Sequence, residues 1–244
     1  MSYNIDMKEY IGSEVKKYYQ PSDKYYRLFP ALKKIIKKYQ GKDVIDVGCG
    51  DGIIYYLYHR YFKSYLGTDI SKDMITQGRE RFPWVRFEVS PAESLSENVK
   101  TEFDLAISNM LIPSIGSKTV FDGIFQQVFK ILKPGGVFIV GTTHPHLDGY
   151  MQVGIMNRTD IETKFRGYFY SHENYLVQRK DGNNEFTFSD YHWQLTDYLK
   201  AAEKSGFQLE TMDECKPVKS LISDPEKKKL AYRAPFNLIL VFRK

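Results

Sequence analysis

Cysteine is almost absent: Cys49 and Cys215 are the two in 244 residues. Two thiols cannot build a disulfide framework, and neither stands in a spacing that would ligate zinc. No apolar run approaches the roughly 18 residues of a membrane span. The first stretch, Met1–Tyr10, is too polar for a signal peptide. There is no internal repeat and no low-complexity tract. Neither charge dominates, since Lys and Arg number 35 against 30 Asp and Glu. The resulting net charge of +5 permits an anionic partner without requiring one. These absences point to a soluble protein of a reducing, cytoplasmic compartment, with no membrane and no metal. At 244 residues and 42% hydrophobic, the chain has enough material for one α/β domain with a substantial core. Aromatics are plentiful, with 19 Tyr and 16 Phe.

The stretch with the clearest meaning is Val44-Ile45-Asp46-Val47-Gly48-Cys49-Gly50-Asp51-Gly52. An apolar run without alternation reads as a strand buried on both faces of a parallel sheet. Glycines at 48, 50 and 52 then let the backbone turn sharply and let a ligand approach where a Cβ would collide. Ile53 to Tyr58 suits a helix packed on the sheet. Strand, glycine turn and helix recur where nucleotides bind. The dinucleotide fingerprint does not fit, because Ile53 stands where its third glycine belongs and Gly52 comes one residue early. Asp46 and Asp51 would repel a pyrophosphate but suit a ligand with a cationic end. Asp69, at the end of the next strand, follows Gly52 by 17 positions. That is close to the roughly 20-residue spacing of an acid that receives ribose hydroxyls.

Asp46 to Gly52 matches D-x-G-x-G-x-G at every fixed position and so resembles the first motif of the class I S-adenosylmethionine-dependent methyltransferases. Leu132-Lys133-Pro134-Gly135-Gly136 resembles the same family's L-K-P-G-G turn, whose role is mostly structural. The resemblance covers residues 41–142 well and 191–244 more loosely. It implies a doubly wound, mostly parallel seven-stranded sheet in the order 3-2-1-4-5-7-6, with strand 7 antiparallel and helices on both faces. The chain then divides into N-terminal cap helices (1–40), a cofactor-binding core (41–142), an inserted aromatic-rich lid (143–192), and a C-terminal helix with a strand hairpin (193–244). Within the lid, Tyr175–Lys180 and Glu185–Ser189 flank a good hairpin turn.

The implied cofactor is S-adenosyl-L-methionine, with S-adenosyl-L-homocysteine as product. Its expected site is the glycine turn with Asp46, Gly48, Cys49, Gly50 and Gly52, then Asp69 with neighbouring Ile70. Ala92 and Glu93 would flank the adenine, Ser108 and Asn109 would lie near the methyl group, and Tyr18 would reach in from the N-terminal segment. Tyr18, Tyr19 or Trp193 could offer a ring face to a methylated cation. The candidate bases are His144, His146 and His192, since imidazole titrates near neutral pH. A small-molecule acceptor, attacked at an O or N atom, is the leading reading. Members that methylate the amino groups of bases carry Pro-Pro after the fourth strand, and Ser108-Asn109-Met110-Leu111 lacks it. An RNA methyltransferase and a non-catalytic binding module are the alternatives. A dehydrogenase is disfavoured by Asp51, Ile53 and the Lys133–Gly136 turn.

Overall fold

The computed structural model describes residues 23–146, 161–162, 168–172, 174–181 and 184–244. Helix α1 (Leu28–Lys38) buries Leu28, Ala31, Leu32, Ile35 and Ile36 at the three- and four-residue spacing of one face, and turns its lysines to solvent. Gly41, at φ 73°, turns the chain into strand β1 (Lys42–Val47), whose last four residues are all buried. The short α2 (Ile53–Tyr58) leads to β2 (Phe62–Asp69), α3 (Lys72–Arg81) and β3 (Arg86–Val89). Ser71 caps α3 by accepting from the Met74 N–H. After the one-turn α4 (Leu95–Asn98) come β4 (Phe103–Asn109), α5 (Lys118–Ile131) and β5 (Leu132–Thr143).

A second, antiparallel sheet follows: β6 (Ile161–Glu162), β7 (Asn174–Asp181) and β8 (Asn184–Tyr191), in that order. The chain then completes the main sheet with α6 (Leu195–Ser205), β9 (Gln208–Asp213), α7 (Pro225–Ala231) and β10 (Asn237–Arg243). The main sheet runs β3-β2-β1-β4-β5-β10-β9, with β10 antiparallel to both neighbours. Counting β9 and β10 as the sixth and seventh strands, this is the expected order.

Two apolar layers sandwich the sheet. One, under α5 and α6, contains Phe121, Phe125, Phe138 and Phe242, all fully buried. The other joins α1 and α2 to the opposite face through Leu32, Ile36, Val44, Leu105 and Ile139. Each fully buried large apolar side chain contributes about 1.5–3 kcal/mol. Because they run parallel, β1, β2, β4 and β5 all finish at one edge of the sheet, between the two layers.

Three local features shape these elements. Gln194 caps α6: its side chain and that of Asp197 bond each other's backbone in a capping box. The lysine-rich connection around Lys228 forms α7. Leu132 already pairs with Phe103, so β5 starts directly after α5, with Gly135 at φ 73° inside it. Lys133 Nζ bonds Asp104 at 3.0 Å and Asp43 at 3.4 Å, stapling the opening ends of β4 and β1. Among the described residues no helix is long and apolar enough to cross a membrane.

Candidate active site

The turn after β1 is folded against β2. The N–H groups of Gly48 and Cys49 both donate to the Thr68 carbonyl, at 2.8 and 2.9 Å, and Gly52 N–H donates to the Cys49 carbonyl at 3.1 Å. Gly48, Gly50 and Gly52 have φ of 73°, 56° and 90°, the left-handed region that other residues adopt only with strain. Space is equally restrictive. A Cβ on Gly48 would stand 2.9 Å from Leu111 Cβ, and one on Gly52 2.8 Å from Phe87 Cζ.

Asp69 links this turn to the tip of β2. Its Oδ2 accepts the Gly50 N–H and its Oδ1 the Ser71 N–H, each at 2.9 Å. Burial raises its pKa above the ordinary carboxylate value, while those N–H groups act in the opposite direction. Beside it, the Ile70 side chain is 39% exposed, an apolar group left open at a strand end.

Asp46 is wholly buried. Tyr65 OH donates to its Oδ2 at 2.7 Å, while among the described residues Oδ1 has no hydrogen-bond partner. Burial drives its pKa up to about 7, against the Tyr65 hydrogen bond and helped by the Asp69 charge. Asp51, expected to face the same ligand end, instead bonds Arg81 Nη1 at 3.0 Å. Its charge is answered inside the protein by a residue 30 positions away. Cys49 is buried with its Sγ 3.3 Å from the Gly50 carbonyl, and burial pushes its thiol pKa well up.

The other expected donor-site residues are spread around the same strand ends. Ala92 packs against the layer under α5, whereas Glu93 is exposed in the single turn after β3. The pleat sends Ser108 and Asn109 to opposite faces of β4. Ser108 shares the face of Ala106 and is fully buried, with Oγ unpartnered among the described residues. Asn109 shares the face of Ile107, and its unpartnered Oδ1 would stand 3.0 Å from a Cβ on Gly141. The next residue, Met110, sits at φ 63° and donates its N–H to the Gly141 carbonyl at 2.7 Å. Such a left-handed non-glycine residue costs on the order of 1 kcal/mol, and strain of this kind clusters at functional sites. Tyr18 and Tyr19 lie outside the described residues.

The three histidines come together beyond β5. His144 is buried; its Nδ1 accepts the His146 N–H at 3.2 Å, which leaves Nε2 to face Glu214 Oε1 at 3.3 Å. Burial lowers the His144 pKa, opposed by the Glu214 charge. The His146 ring lies 4.9 Å from Tyr168, and Tyr168 lies 5.5 Å from His192. His192 is fully buried, with Nε2 at 2.9 Å from the Tyr168 carbonyl. Trp193 cannot offer a face to a methylated cation. It is buried, stacked on Phe121 at 4.1 Å and tilted against His172 at 4.3 Å, and its indole N–H donates to the Ile115 carbonyl.

Tyr65, Arg81, Leu111, Tyr168 and Glu214 carry this geometry and were not expected from sequence. Of these, Leu111 alone stood in a stretch already read, the loop after β4 that lacks Pro-Pro.

The sheet order, the left-handed glycine turn and the acid bracing it from β2 define a doubly wound α/β protein built around a nucleotide-type turn. The chain belongs to the methyltransferases: a family model described as "Methyltransferase domain" matches residues 38–213. It is 24% identical over 177 residues to N-demethylindolmycin N-methyltransferase of Streptomyces griseus, covering 71% of this chain and 73% of that one. Trans-aconitate 2-methyltransferase of Variovorax paradoxus is 30% identical over a shorter 99 residues, 40% of this chain and 37% of the relative. The fold is shared with an S-adenosylmethionine-dependent methyltransferase from Mesorhizobium loti, at TM-score 0.66 and 21% identity over 92% of this chain and 99% of that one. The methyl donor of this enzyme class is S-adenosylmethionine. The residues present fit it: a cradle that side chains would fill, an acid at the second strand tip, and a buried carboxylate oxygen awaiting a donor.

Proposed function

We propose that this enzyme methylates an oxygen or nitrogen atom of a small-molecule acceptor. The observation that carries the reading is the ring series His144, His146, Tyr168 and His192, which walls the end of β5 next to the second sheet. Rings contributed by an insertion beside the strand ends suit a compact acceptor better than a nucleic-acid strand. The loop after β4 agrees, since it lacks Pro-Pro. Two relatives are named for small acceptors, N-demethylindolmycin and trans-aconitate.

When bound, the donor supplies a methyl group on a sulfonium, which leaves readily on in-line attack. The protein's own work is therefore alignment and exclusion of water, worth roughly 7–11 kcal/mol of barrier. In our reading Asp69 accepts from both ribose hydroxyls, Ile70 covers the base, and Ala92 with Glu93 borders its exocyclic amine. The backbone of Gly48, Cys49, Gly50 and Gly52, together with Asp46, holds the amino-acid end. Asn109 and Ser108 flank the methyl group from the two faces of β4, and Tyr18 closes over the site. Residues 143–192 form the lid over the acceptor. Where the acceptor needs a base, His146 is the first choice, because its ring is exposed beside Tyr168. His144 has Nδ1 engaged, and His192 is sealed from solvent.

Transfer of labelled methyl from S-adenosylmethionine to a panel of small phenols, amines and carboxylic acids, alongside RNA, tests this reading. Incorporation into a small acceptor, reduced in His146→Asn, is expected. Incorporation into RNA alone, with binding that falls steeply with salt, overturns it.

A further inference from the structure

We propose that Tyr65 is a positioning residue for the methyl donor: its phenol holds one oxygen of the buried Asp46 carboxylate and leaves the other to receive the donor's ammonium group. This rests on the donor reading above. Tyr65 stands opposite Val44 in the parallel pairing of β1 with β2, so its side chain runs along the same face toward Asp46, two residues further on. Gly67, the residue opposite Asp46, has no side chain there. A Cβ at that position would stand 2.7 Å from Phe87 and 2.9 Å from Cys49 Sγ. Phe87 and the Cys49 thiol fill the space over Gly67, and beside them the Tyr65 phenol bonds Asp46 Oδ2 at 2.7 Å.

Among the described residues, the groups around Asp46 supply no counter-charge. From β2 come Tyr65 and Asp69, from the turn Cys49 and Asp51, and from β4 the apolar Ile107. Arg81, the cation of this corner, is spent on Asp51 at 3.0 Å. A buried carboxylate with one satisfied oxygen and no cation requires either a proton or a cationic ligand. Burial and the neighbouring acid keep Tyr65 itself protonated, so it stays a donor. It favours the ionised Asp46, the form an ammonium binds.

The test is calorimetric titration of S-adenosylhomocysteine, which keeps the ammonium and has no methyl to transfer, from about pH 5 to 9. The proteins are wild type, Tyr65→Phe, Asp46→Asn and the double variant. Wild type should bind more tightly as pH rises through the Asp46 titration. Tyr65→Phe should bind roughly ten-fold more weakly near neutral pH, as expected for one lost hydrogen bond to a charged group. Its acid limb should also move to higher pH. In the Asp46→Asn background, Tyr65→Phe should change nothing further. Site-specific replacement of Tyr65 by the more acidic 3-fluorotyrosine preserves the shape and should move the limb to lower pH. The assignment is overturned by an unmoved limb in both Tyr65 variants, or by a ten-fold loss that persists in the Asp46→Asn background, which marks a merely structural tyrosine. No binding by wild type at any pH defeats the donor reading itself, and this assignment with it.

Discussion

Two aspartates three residues apart on β1 live in opposite electrostatic worlds. Asp43, at the opening end, accepts from the Ser64 hydroxyl at 2.8 Å and from Lys63 at 3.1 Å, and Lys133 closes on it from β5. The Ser64 bond and Lys63 hold its pKa down to about 2. Asp46, at the finishing end, has one phenol and, among the described residues, no cation, and burial lifts its pKa to about 7. The same strand is thus closed electrostatically where it begins and left open where it ends. The closed end serves the fold. The open end costs the unliganded protein stability and keeps a place for a ligand.

The sharpest way to break this contrast is Asp69→Ala, which removes the brace on Gly50 and Ser71 and the proposed ribose acceptor together. S-adenosylhomocysteine affinity should fall on the order of a hundred-fold by titration, with the far-UV spectrum unchanged. Asp46→Asn comes next and acts on stability in the opposite sense. Native Asp46 keeps its proton up to about pH 7, whereas its ordinary value is 3.8. Between those values the native state binds more protons than the unfolded one, so stability falls as pH rises through the window and stays lower above it. Asparagine cannot ionise. The variant should therefore exceed wild type by on the order of 1–3 kcal/mol at pH 8, several degrees in Tm, and match it near pH 4. Equal midpoints at pH 8 would show Asp46 to be already neutralised. The smallest effect belongs to Lys133→Met. It should lower Tm by no more than about 2 °C and leave donor affinity unchanged, since exposed ion pairs contribute little. A large loss of affinity there would erase the division between the two ends.

A fourth variant probes the insertion. A Cβ on Gly116 would stand 2.4 Å from the Tyr191 ring at the foot of β8. Gly116→Ala should displace that foot, raising KM for the acceptor while donor affinity is retained.

Much of the donor half was legible in sequence because its signals are local. Glycines at alternate positions and an acid at a fixed spacing each report on their own backbone. The sheet order came with the family resemblance and is the order observed, with the same strand antiparallel. What escaped was set by distant partners. Nothing near Asp51 announces Arg81, and nothing near His144 announces Glu214. The indole of Trp193 looked available because its stacking on Phe121 joins residues 72 positions apart.

Cys49 carries one more consequence. Its thiol is packed where Gly67 leaves room, is held protonated by burial and by the acids beside it, and points at the Gly50 carbonyl. Alkylating reagents attack thiolates that solvent can reach. Cys49 can meet that condition only in the moments when the turn lifts off β2. Its labelling rate is therefore a clock for the breathing of the turn, and a ligand braced across the glycines should slow that clock.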